Sequence, residues 1–274
     1  IALMPKLQMV PGIRWDYYTA QENYPKRKDV APFSFDVSSL NPRLAIKYDL
    51  SRRFALRLST GTGFRPPAAF AEDLHLCSGS PRIYKAPDLK PERALSFNVS
   101  ADYYGETMRL GASIFRTNLY NKIDFIGVGP KIRARGYNYQ WENLGDAYVQ
   151  GFELSWRTRM TDHLTLNGDF TVNQGIYKYP REDWIGTEYE AESEHISKYP
   201  LHSGHLGVKY STHNWRFTVD GTYKGPMYID YYYEEEVPRK IQKTKPYVLL
   251  DAQISKSMRC VTLYAKMENI TDFV

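Results

Sequence analysis

Little in this sequence belongs to the common function classes. Nowhere in its 274 residues does an apolar run reach 18 positions, so no helix of the chain could cross a bilayer. Two cysteines cannot build a disulfide framework, and neither Cys77 nor Cys260 sits in a C-x-x-C pair suited to metal or redox chemistry. The motifs G-x-x-x-x-G-K-[ST], G-x-G-x-x-G after a strand, H-E-x-x-H and G-x-S-x-G are all missing. No enzyme, no metal and no cofactor are expected without them. The net charge of +5 is modest and its Lys and Arg are spread along the whole chain; a nucleic-acid partner would want them on one stripe. Helical periodicity is almost absent.

What is present is alternation with a period of two, the mark of strands. The composition, 42% hydrophobic and 15% aromatic with 23 Tyr, is too apolar for a disordered chain. A mean hydropathy of −0.53 is compatible with strands that are apolar on one face only. Leu44, Ile46, Tyr48 and Leu50 alternate with Arg43, Lys47 and Asp49. Leu95, Phe97, Val99, Ala101 and Tyr103 do so with Ser96, Asn98, Ser100 and Asp102. The pattern predicts eleven strands, over 8–18, 42–50, 53–61, 93–103, 108–119, 150–159, 164–174, 201–210, 215–224, 246–256 and 260–269. Over the last ten, Asp, Glu, Lys and Arg are expected to stay off the apolar face. Most strands are about 9–11 residues, the length a tilted strand needs to span a bilayer, whereas soluble strands average about 5–6.

The predicted connections alternate between short and long. Short ones fall at 51–52, 104–107, 160–163, 211–214 and 257–259, and long ones at 19–41, 62–92, 120–149, 175–200 and 225–245. Short turns at one end and long loops at the other are the layout of an outer-membrane barrel. Aromatics collect where interface girdles should lie, with Tyr48, Phe54, Tyr103, Trp156, Tyr210 and Trp215 near the short turns. The fold class expected is therefore all-β, an antiparallel transmembrane β-barrel in a bacterial outer membrane, with lipid as its first partner.

An ordered set of motifs adds a family. Gly61-Thr-Gly-Phe-Arg-Pro-Pro67, Leu89-Lys-Pro-Glu92, Glu142-Asn-Leu-Gly145 running into Gly151-Phe-Glu-Leu154, Tyr199-Pro200 and Glu268-Asn-Ile-Thr-Asp272 closely resemble the C-terminal part of TonB-dependent outer-membrane receptors. The resemblance covers essentially the whole chain. It implies that 1–274 is the C-terminal half of a barrel of about twenty-two strands, with a plug domain, the first half of the barrel and the last strand outside the chain. It also implies active import of a scarce nutrient, most naturally a metal chelate such as a siderophore, haem or corrinoid. Its partners would be that small chelate, the TonB complex acting through the plug, and in some receptors a surface lipoprotein. A passive diffusion porin and a soluble β-sandwich binding module are the alternatives; porins lack the ordered motifs, and sandwich strands are shorter.

Candidate site residues fall into two groups. Arg43, Lys47, Arg57, Asp102, Glu153, Arg157, Asp169, Lys209, Arg216 and Asp220 should face the lumen and the plug, or simply solvate it. Ligand recognition should lie in the outer loops. There, Tyr177, Tyr179 and Trp184 in one loop and Tyr228, Tyr231, Tyr232 and Tyr233 in the next offer large amphipathic area at low entropy cost, or else pack the loops on one another. His75 stands between Phe64-Arg-Pro-Pro67 and Ala86-Pro-Asp-Leu89. That layout resembles haem receptors with a His between an F-R-A-P and an N-P-[DN]-L box, and it makes His75 a candidate axial ligand beside the plainer reading of a solvated loop residue. The acidic run from Glu182 to Glu194 has no EF-hand spacing and is expected to be solvated. Cys77 and Cys260 should lie at opposite ends of the barrel, about 30 Å apart, and remain free thiols.

Overall fold

The computed structural model describes residues 2–22, 32–67, 83–137, 139–181, 184–186, 188–231 and 240–273. Its strands begin with β1 (Ala2–Met4), β2 (Leu7–Glu22), β3 (Phe33–Asp49), β4 (Phe54–Arg65), β5 (Ile83–Lys85) and β6 (Glu92–Tyr104). There follow β7 (Met108–Tyr120), β8 (Ile123–Gly127), β9 (Tyr139–Asn143), β10 (Ala147–Arg159), β11 (Leu164–Tyr177) and β12 (His202–Thr212). The last are β13 (Trp215–Lys224), β14 (Tyr228–Tyr231), β15 (Lys240–Lys243), β16 (Tyr247–Met258) and β17 (Val261–Met267).

Twelve of these form one sheet in the order β1-β2-β3-β4-β6-β7-β10-β11-β12-β13-β16-β17, and every pairing in it is antiparallel. Apart from the short β1, they are the eleven strands the alternation predicts. The other five form a three-stranded sheet, β5-β9-β8, and a hairpin, β14-β15. Both lie within long connections and were not foreseen.

Cross-strand register shows why the alternation works. Leu58 faces Val99, Val99 faces Ile114, Ile114 faces Phe152 and Phe152 faces Val172. One residue along, Arg57, Ser100, Ser113, Glu153 and Thr171 make the matching row on the opposite face. The apolar row is solvent-exposed in the isolated chain. A patch of this extent on a sheet face marks a surface built to be covered, by lipid or by a partner. Gly168 opposes Trp156 and is covered by its indole: a Cβ there would come within 2.3 Å of the ring.

The short connections are capped locally. Ser51 Oγ accepts from the backbone N–H groups of Arg53 (3.2 Å) and Phe54 (3.1 Å). Thr161 Oγ1 does the same for His163 (3.2 Å) and Leu164 (3.0 Å). Two tighter turns use a left-handed first residue, His213 (φ 47°) and Arg259 (φ 34°).

Within the predicted strand bounds three charged residues do fall on the apolar face, contrary to expectation, and Asp36, in the part of β3 before those bounds, shares it. Lys256 opposes Trp215 at the short-turn end, where its ammonium lies 4.7 Å from the indole ring and its stem can snorkel to water. Arg93 and Arg116 lie toward the other end, paired with Phe64 and Phe97 respectively. Cys260 is a free, exposed thiol in the last short turn; Cys77 lies outside the described residues.

Candidate functional site

The end of the sheet that carries the long connections is organised round a side-chain clamp. Asn143 accepts from Lys90 N (2.7 Å) and donates to Lys90 O (3.0 Å) and Asn121 O (2.7 Å). One carboxamide thus ties three chain segments together. Glu92 accepts from Ile123 N at 2.9 Å. Leu89 and Ile123 are buried with Phe33 and Trp141, and Phe35 packs against them. Gly145 takes φ +97°, in the left-handed region that favours glycine, and its carbonyl accepts from Lys122 N at 2.7 Å. The L-K-P-E and E-N-L-G motifs are therefore the staple of this rim.

Next to the staple, Lys122 pairs with Asp124 at 3.1 Å and lies 5.4 Å from the centre of the Tyr177 ring. The Tyr177 hydroxyl donates to Asp124. Tyr177 is only 1% exposed.

A second aromatic cluster joins the following two loops. Trp184 and Tyr228 are 0% and 3% exposed, with ring centroids 5.6 Å apart. Tyr189 and His195 pack on Tyr228 at 5.8 and 5.3 Å, and Arg181 lies 5.5 Å from the Trp184 ring. Lys198 N donates to Tyr228 O at 2.6 Å. The Tyr189 phenol is raised above its ordinary pKa, first by its hydrogen bond to Glu188 and then by burial.

The structure therefore brings Trp184 and Tyr228 together but sends Tyr177 to the Asp124 side. All three are buried, because rings are the largest apolar area these polar loops possess and fold inward to be covered. Among the loop candidates whose burial is described, Tyr179, at 63% exposed, is the one that meets solvent. Tyr231 ends β14; His75, Tyr232 and Tyr233 lie outside the described residues.

The ten charged candidates share the face opposite the apolar row. Arg57 forms an ion pair with Asp102 and donates to Tyr104 Oη at 2.8 Å. Lys47 pairs with Asp49 at 2.9 Å, and Ser113 Oγ donates to Glu153 at 3.0 Å. Arg43 opposes Gly12, where a Cβ would meet the guanidinium Nε at 2.6 Å. Arg157 opposes Arg109 and Asn167, Lys209 opposes Thr165 and Thr218, and Arg216 opposes Ser211 and Ser255. His205, which sequence reasoning passed over, lies between Asp220 (3.1 Å) and Asp169 (4.0 Å). Its parity in β12 against two aspartates in β11 and β13 was the available signal.

Sequence reasoning also missed a basic stretch. Lys131, Arg133 and Arg135 are exposed in and just after the helical turn α1 (Pro130–Arg133). No acidic residue occurs from Phe125 to Trp141. The Arg135 guanidinium lies 5.5 Å from the Tyr84 ring and 5.8 Å from the Tyr137 ring, and Tyr137 is buried at 2% exposure.

Comparison with known proteins places this arrangement. A family model described as "TonB dependent receptor-like, beta-barrel" matches residues 1–270. The ferric enterobactin receptor of Pseudomonas aeruginosa is 25% identical over 190 residues, 62% of this chain and 23% of that one. Heme/hemopexin utilization protein C of Haemophilus influenzae is 23% identical over an alignment of 302, covering 97% of this chain and 38% of that one. Among solved structures, the copper transporter OprC superposes with a TM-score of 0.73 at 15% identity, over 98% of this chain and 40% of that one. The ferric-catecholate import receptor Fiu of Escherichia coli K12 gives 0.68 at 18% identity, over 99% and 39%. The chain thus spans about a quarter to two fifths of the length of these relatives.

Proposed function

The chain belongs to the TonB-dependent receptor β-barrel family, and from that premise we propose that it supplies outer-loop recognition and half the barrel wall of a receptor for an anionic metal chelate. In this reading the receptor sits in the bacterial outer membrane and imports the chelate actively, and no catalytic step is involved. The observation that carries the choice of ligand charge is the acid-free stretch of Lys131, Arg133 and Arg135 beside Tyr84 and Tyr137. Iron complexes built on catecholate oxygens are anionic and expose electron-rich rings, which guanidinium groups and aromatic faces accommodate together. Tyr179 adds an exposed ring, while Tyr177, Trp184 and Tyr228 fix the loops that present it.

The ten residues of the charged face would line the lumen against a plug, where ion pairs such as Arg57–Asp102 and the His205 group are shielded from lipid. TonB would act through that plug. A second reading, haem import with His75 as axial ligand, is favoured by the near-complete coverage of this chain by the Haemophilus haem protein.

Uptake in cells expressing the whole receptor separates these readings. An iron–catecholate complex should enter only while the proton motive force is intact, and Arg133→Ala with Arg135→Ala should weaken its binding about tenfold. Uptake that persists under an uncoupler would instead describe a porin. A saturable Soret shift on haemin titration that is lost in His75→Ala, with catecholate binding absent, would replace the siderophore reading by the haem one.

A further inference from the structure

We propose that Tyr137 and Gln140 are the uncharged half of the outer recognition site, covered by the turn at 129–136 and reached by the chelate when that turn lifts. The group they take is one that both accepts and donates a hydrogen bond, such as an amide on the chelate's periphery. The inference rests on the reading of the basic stretch as the chelate's contact, and adds to it a contact that charge does not supply.

Tyr137 Oη and Gln140 Oε1 are both buried without a hydrogen-bond partner among the described residues. Both residues adjoin Tyr84. Gln140 in β9 is the register partner of Tyr84 in β5, and the Tyr84 and Tyr137 rings meet edge to face with centroids 5.4 Å apart. The Gln140 amide nitrogen is already engaged with Glu142, which leaves the carbonyl oxygen as an acceptor. The phenol supplies a donor. Buried polar groups are nearly always paired, and one left unpaired carries the full cost of its desolvation. Two at one place, a donor and an acceptor, are explained together by a ligand group that brings the complement of each.

The cover is a self-contained unit. Ile132 N and Arg133 N donate to Gly129 O, Ala134 N to Pro130 O, Arg135 N to Ile132 O and Gly136 N to Arg133 O. Among the described residues no backbone hydrogen bond ties 129–136 to another segment. Gly136 takes φ +85°, which lets the chain reverse immediately ahead of Tyr137. Buried Val128 and buried Tyr137 flank the turn, while Lys131, Arg133 and Arg135 on it are exposed. The turn can therefore lift without breaking any of its own bonds. A chelate drawn to these three cations is brought to the Tyr84–Tyr137 pair, on which the Arg135 guanidinium rests. Transfer of that guanidinium from the rings to the chelate uncovers the phenol and the Gln140 oxygen behind it.

The test measures binding to the whole receptor in detergent. Its probes are the iron complex of a hexadentate tris-catecholate with amide-linked arms and that of its counterpart with methylene-linked arms. Tyr137→Phe should weaken binding of the amide-linked complex about tenfold without lowering the receptor's unfolding midpoint. Gln140→Leu should weaken it to a similar extent. Both losses should be the same in dilute and concentrated salt, whereas the loss in Arg133→Ala should shrink as salt screens the charge. The methylene-linked complex should bind wild type and Tyr137→Phe alike. Three results would each overturn the inference and leave the anionic-chelate reading in place: unchanged affinity in Tyr137→Phe, a lowered midpoint showing that the phenol is bonded within the receptor, or an equal loss for both complexes. Failure of wild type to bind either complex would instead remove the catecholate reading, and this inference with it.

Discussion

Asn143 does its work through geometry alone. Its side chain meets both backbone groups of Lys90 and the carbonyl of Asn121, so a single residue sets how two long connections leave the sheet. Asn143→Ala deletes three hydrogen bonds at a partly buried position, each worth about 1 kcal/mol. We expect about 2–3 kcal/mol of lost stability, read as a lower unfolding midpoint in detergent and faster tryptic cleavage after Arg133 or Arg135. Unchanged cleavage would show that the basic stretch is presented independently of the clamp. At this scale the sequence was only partly legible. The motif residues could be found by their order, but their role as a staple could not, because Asn143 and Lys90 are 53 positions apart. Tyr177, Tyr179, Trp184 and Tyr228 look alike in a sequence, and only loop packing decides that Tyr179 meets solvent while the others are covered.

At the scale of elements, the strands were legible because lipid demands a strict period of two. Their ends were less so. β3 begins at Phe33, well before the predicted start at 42. Between Leu40 and Phe35 the apolar residues change faces. Leu40, Leu44 and Ile46 share one side, whereas Phe33, Phe35 and Val37 share the other. The change occurs where β3 passes the lipid and turns its rings to the buried group of Leu89, Ile123 and Trp141. A reading that follows one apolar face must stop there. The accessory strands β5, β8, β9, β14 and β15 have 3–5 residues each, too few for a period to show. The face assignment itself is open to test at adjacent positions. Val219 pairs with Val208 and Ala252 on the apolar side, and Thr218 with Lys209 and Gln253 on the other. Val219→Lys should destabilise the barrel in vesicles by about 2–4 kcal/mol if it sits at mid-depth, and Thr218→Lys by little. Equal losses measured by denaturant titration would mean that the faces are misassigned.

For the whole molecule, the decisive feature is that the sheet does not close on itself. β1 and β17 stand at opposite ends of the strand order. Among the described residues β17 pairs only with β16, and all seven of its residues are exposed, Tyr264 at 73%. In water such an edge recruits other strands. In lipid each unpaired backbone group costs several kcal/mol, so spanning sheets close. The outer face, with Lys256 on one rim and Arg116 on the other, is suited to a bilayer, yet the sheet as it stands cannot satisfy its own backbone there. On our proposal that the chain is part of a longer barrel wall, closure would come from further strands; the chain spans at most about two fifths of its relatives' length. Expressed alone in detergent, the 274 residues should therefore exchange the amides of β17 much faster than those of β10, which is paired on both sides. Within the whole receptor that difference should largely vanish. Amides of β17 as protected as those of β10 in the isolated chain would mean that its edge finds a partner without the rest of the barrel, and the case for a shared wall would fail.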